Sequence, residues 1–122
     1  MIRFAVAAFA FVAAYATAEA QPRRRPPAEL PAIAAAVREY FEQEIPIGWS
    51  VRDVQIFDGG LGAAVSLDAP IWTVRDMNVE AAEACPNSEA FLWRSVLYVS
   101  IQVNRRGIAG HGTARCSALG RR

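Results

Sequence analysis

From Leu30 to Ile45, apolar side chains recur at three- and four-residue steps: Leu30, Ile33, Val37, Tyr40, Phe41 and Ile45. That spacing places them on one stripe of an α-helix and leaves Glu39, Glu42 and Gln43 off it. Pro31 suits a first turn, where a missing N–H costs nothing. The alanines between 32 and 36 favour the helix, and Pro46 stops it at the preceding residue. The predicted helix is 31–45. Its polar face is acidic, which fits packing on a core better than lying on a membrane.

After Trp49 the period falls to two. Residues 51–57 read as one strand, Asp58-Gly59-Gly60 as a turn, and 61–67 as a second strand. A two-residue turn at Gly59-Gly60 sets Ile56 against Ala63 and Val54 against Val65, so both strands put apolar residues on one face. Asp68-Ala69-Pro70 reads as a further turn, after which Trp72 would pair with Leu67 and Val74 with Val65. Residues 77–85 are ambiguous: Met77, Ala81 and Cys85 suit a short helix capped by Asp76 or Asn78, or else a long connection. The strongest strand signal runs from Phe91 to Val103. Phe91, Trp93, Leu97, Val99, Ile101 and Val103 face one way, and Tyr98, Ser100 and Gln102 the other. A turn at 104–107 returns the chain through residues 108–116. With a two-residue turn, Val103 opposes Ile108, Leu97 opposes Ala114, Ser100 opposes His111 and Cys116 opposes Ser95.

The expected fold is therefore α+β, one amphipathic helix on an antiparallel sheet of about five strands. In shape this resembles cystatin-like and NTF2-like folds, a likeness of architecture only. The expected organisation is a leader over 1–20, a Pro/Arg-rich linker over 21–28, one domain over 29–118 and a tail over 119–122. An edge exposed on a long strand would also permit a partner to add a strand.

The N-terminus carries an address. A short segment with Arg3 precedes an apolar run from Phe4 to Ala16, and small residues alternate at 16–18 and 18–20. This reads as a signal peptide cut after Ala18 or Ala20; the run is shorter than a membrane span needs. A retained anchor is the alternative, and Arg23-Arg24-Arg25 just beyond would resist translocation. The expected location is periplasmic or secreted. Membrane contact is expected only through the leader or those three arginines, which are fewer than a polybasic lipid site usually has. Cys85 and Cys116, 31 residues apart, read as a disulfide in an exported domain. Two free thiols, or a redox role, are the alternatives; the spacing is not C-x-x-C.

Composition removes several chemistries. All 13 basic residues are Arg, against 12 acidic ones, a formal charge of +1. No lysine is present for a Schiff base, a phosphate loop or a Ser–Lys pair, and the near balance of charge gives no field for nucleic acid. His111 is the single histidine, so one chain cannot build a multi-histidine metal site. There is no G-x-S-x-G elbow, and Gly59-Gly60-Leu61-Gly62 lacks the lysine of a phosphate loop. No cofactor is expected. The first expectation is a non-enzymatic module binding an envelope protein or a small ligand, with Trp49, Tyr98, Ser100 and His111 as the candidate surface. The second is a small hydrolase- or isomerase-like enzyme using His111 in a cleft between helix and sheet, which needs a carboxylate within hydrogen-bond reach. Asp53 interrupts a strand beside Arg52, marking a bulge, an ion pair or a cavity wall.

Overall fold

A computed structural model describes residues 24–73, 75–107, 109–118 and 120–121. The leader, Arg23, Val74 and Ile108 lie outside the described residues. Two helices, α1 (Leu30–Glu44) and α2 (Met77–Glu83), pack on one face of a mixed sheet. Its strands are β1 (Ser50–Phe57), β2 (Gly62–Ala69), β3 (Tyr98–Arg105), β4 (His111–Ser117) and a two-residue β5 (Gly120–Arg121), in the spatial order β1-β2-β3-β4-β5.

Helix α1 forms where the apolar stripe predicts. Ile33, Val37, Tyr40 and Phe41 are its buried residues, and Ile45 is already extended ahead of Pro46. The first hairpin also follows its pattern. Ile56 pairs with Ala63 and Val54 with Val65, while the ladder slips between Val51 and Asp53. Asp58–Gly60 is a short 3-10 turn, with Gly59 and Gly60 both at positive φ.

Beyond the first hairpin the topology departs from an antiparallel meander. Strand β2 pairs with β3 in parallel, Val65 opposite Ile101 and Leu67 opposite Val103. The neighbours of Leu67 are thus Val51 and Val103, and Trp72 is not in the sheet at all. Trp72 instead stands exposed on the loop after β2. A parallel pair needs a crossover of a dozen residues or more, and residues 70–97 provide it with α2 in the middle. Asp76 caps α2, its Oδ1 accepting from the backbone N–H groups of Asn78 and Val79 at 2.8 and 3.4 Å. Phe91–Arg94 is a 3-10 turn rather than the start of a strand. Phe91 and Leu97 are consequently exposed, while Trp93 is buried with its Nε1 donating to the Asn87 carbonyl.

Strands β3 and β4 are antiparallel with Val103 opposite Gly112 and Val99 opposite Cys116, four residues from the predicted register. The turn is wider than two residues, opened by Gly107 and Gly110 at positive φ. An even shift keeps every side chain on its expected face. Within the expected tail, Gly120 and Arg121 form β5, Arg121 paired with Cys116 and Gly120 with Ser117.

Helix α2 runs along β4. A Cβ on Gly112 would overlap the Met77 backbone, so only glycine permits this approach. Beside that contact Asn78 Oδ1 accepts from the Thr113 N–H at 3.0 Å, and beyond the other end of the helix Cys85 bonds to Cys116 (S–S 1.99 Å). The core between helices and sheet holds Phe41, Leu67, Leu92, Ile101 and Val103, all essentially without solvent contact. No described helix is long and apolar enough to cross a membrane.

Candidate functional site

Both helices cover the same face, so the other face of the sheet is open. Its side chains fall in rungs that cross four strands. One rung is Gln55, Ala64, Ser100 and Arg115; the next is Asp53, Ser66, Gln102 and Thr113. Together with Arg52, and with Ala82 of α2 at the β4 side, they line a hollow of about 850 Å³. Its centre is low because β2 and β3 carry Ala64, Ser66 and Ser100, all half-buried. Its margins are high because β1 and β4 carry Gln55 and Arg115. The shape comes from residue size: short side chains at Ala64, Ser66 and Ser100 between Gln55 on β1 and Arg115 on β4, with Gln102 of β3 standing taller in the next rung.

Electrostatics differ at the two margins. On β1, Arg52 is committed to Asp68, with Nε–Oδ2 at 3.1 Å and Nη2–Oδ1 at 3.0 Å. Asp53 Oδ2 accepts from Gln55 Nε2 at 3.1 Å. Asp53 therefore borders the bulge and also walls the hollow. On β4, the Arg115 guanidinium lies 5.0 Å from the centre of the Tyr98 ring. Arg115 forms no ion pair among the described residues.

Tyr98 is fixed from several sides. Its ring meets Phe57 edge-on at 5.4 Å, and both rings close over Gly62, where a Cβ would collide with Tyr98 Cε2. Its hydroxyl donates to Asp58 Oδ2 at 2.8 Å, and Asp58 Oδ1 accepts from Arg24 Nη2 at 2.9 Å. The hydrogen bond to a carboxylate, helped by partial desolvation, pushes the Tyr98 phenol above its ordinary value. Arg25 donates its backbone N–H to the Gly59 carbonyl. The described end of the Pro/Arg-rich segment is thus docked against the β1–β2 turn.

Tyr98 and Ser100 lie at this site, on adjacent rungs. His111 is on the same face but at the far end of β4, opposite Asn104 instead of Ser100. It is exposed and lines a separate hollow of about 310 Å³ with Arg75, Asp76 and Arg105. The Asp76 Oδ1 in that hollow is engaged by the α2 cap, and among the described residues no hydrogen bond joins His111 to a carboxylate. Trp49 is half-buried on the opposite side, lining a hollow of about 260 Å³ between the helices with Glu44, Glu80 and Glu83. The four candidates therefore divide among three places. Sequence reasoning missed Ala64 and Ser66. Their signal was available: Gly62, Ala64 and Ser66 place three small residues at alternate positions of a central strand, where β-branched and aromatic residues are the norm.

Comparison of the chain with protein-family models, curated proteins and solved structures finds no match. Among the described residues no group of three or more His, Cys, Asp or Glu could hold a metal ion.

Proposed function

We propose that this protein is a non-enzymatic binding module of the cell envelope, and that the open face of its sheet takes a polar, carboxylate-bearing ligand. The observation that carries this reading is the trough over Ala64, Ser66 and Ser100 with the Arg115 guanidinium at its margin, over the Tyr98 ring and without an ion-pair partner among the described residues. A ring face engages a guanidinium without using its N–H donors, and a carboxylate is the acceptor that fits those donors best. Gln55, Ser100, Gln102 and Thr113 add neutral donors and acceptors along the floor and walls. Envelope placement is supported by the apolar N-terminal run and by the Cys85–Cys116 bond, which persists in oxidising compartments.

Strand addition has less support. The long strand β3 lies inside the sheet between β2 and β4, and the free edge of β1 is broken by its bulge beside Arg52 and Asp53. The test is a thermal-shift screen with dicarboxylates, uronic-acid oligosaccharides and acidic peptides. A ligand at about 100-fold excess over its Kd should stabilise the fold by about 2.7 kcal/mol. Arg115→Gln should abolish that shift without lowering the melting temperature of the free protein. No shift with any probe would refute the reading.

A further inference from the structure

Three loops converge at the end of the sheet away from the Asp58–Gly60 turn, and two of them carry exposed apolar side chains. Ile47, in the loop after α1, is 99% exposed; Trp72 and Ile71, in the loop after β2, are 70% and 62% exposed. They form one patch. A Cβ on Gly48 would stand 3.0 Å from Trp72 Cζ2, and one on Gly107, in the β3–β4 turn, 3.7 Å from Ile71 Cδ1. The arrangement is held from beneath. The Arg106 N–H donates to the Ala69 carbonyl at 3.0 Å, and Arg105 Nη1 donates to the Thr73 carbonyl at 2.7 Å.

The same end is positively charged. Arg105 and Arg106 form no ion pair among the described residues, and Arg106 Nη2 bonds only the Ser50 hydroxyl, at 3.1 Å. Large apolar tips that project outward beside unpaired arginines suit a layer with anionic headgroups above hydrocarbon. Tryptophan favours that boundary, and arginine reaches the headgroups while its stem stays apolar. We infer that this loop end docks the protein onto an anionic lipid surface, with Ile47, Ile71 and Trp72 entering the interface and Arg106 pairing with phosphate. The patch and the trough occupy different parts of the molecule, so either assignment can fail alone.

The test uses vesicles of phosphatidylglycerol and phosphatidylethanolamine with brominated acyl chains, which quench tryptophan at bilayer depth. Trp93 is buried and Trp49 half-buried, so quenching should come from Trp72 and vanish in Trp72→Phe. This readout ignores the N-terminal run, which contains no Trp. Ile47→Ser and Trp72→Ser should each weaken partitioning about ten-fold. Arg106→Gln should weaken it about five-fold on anionic vesicles and leave phosphatidylcholine unaffected. Each variant is checked for a wild-type melting curve. Unquenched Trp72 in folded protein would overturn the inference. So would a concentration-dependent dimer in sedimentation velocity that Trp72→Ser abolishes, since a second copy would then cover the patch.

Discussion

The two faces of this sheet are made from alternate residues of the same four strands, and they follow opposite rules. The covered face carries Val65, Leu67, Val99, Ile101 and Val103, large or β-branched residues sealed under two helices. The open face carries Ala64, Ser66 and Ser100 at the neighbouring positions, flanked by Gln55, Asp53 and Arg115. Gln102 on β3 shows that this face accepts a long polar side chain on a middle strand, so wetting alone does not require the short ones at Ala64, Ser66 and Ser100. Small residues there forgo cross-strand contact and strand propensity. The covered face is explained by packing alone, and the open face is not, which is why the binding role is assigned to it.

The comparison is broken most severely by removing what closes the covered face. Substituting both cysteines with Ser should cost about 3–4 kcal/mol, the loop-closure value for 31 residues, read by urea denaturation. Next is a paired test. Leu67→Ala should cost about 3 kcal/mol because it leaves a void among residues with no solvent contact. Ser100→Ala, across the sheet, should change stability by less than about 0.5 kcal/mol while weakening ligand binding. Equal losses from the two variants would erase the distinction between the faces.

The smallest effect concerns pH. The Tyr98 phenol is raised above the ordinary value of 10.0 by its bond to Asp58. The protonated form is therefore favoured by folding, and its contribution is complete below the unfolded-state value and lost as pH rises through the folded-state value. The tyrosinate absorbance lost in Tyr98→Phe should titrate above the ordinary value, and Asp58→Asn should move that component down.

Much of the covered half was legible from local pattern. Helix α1 and the β1–β2 register followed from apolar spacing and a glycine turn, because their partners are adjacent in sequence. The parallel β2–β3 pair was not legible. Its partners are separated by residues 70–97, and an apolar alternation does not declare which strand lies beside it. Trp72 was misplaced for that reason: a large aromatic after a strand reads as core until the crossover carries it outside. The disulfide survived a register error of four residues because its position depends on α2 lying along β4, which Gly112 permits. Of the candidate site, Tyr98 and Ser100 were found by alternation. His111 was drawn in by its rarity, which says nothing of its neighbours.

The most direct measurement is amide chemical-shift mapping of the isotope-labelled protein during titration with a uronic-acid oligosaccharide and, separately, an acidic peptide. The account predicts saturable shifts at Ala64, Ser66, Ser100 and Gln102, absent in Arg115→Gln. Shifts confined to the helices or to the His111 end of β4, or no shifts with either probe, would contradict it.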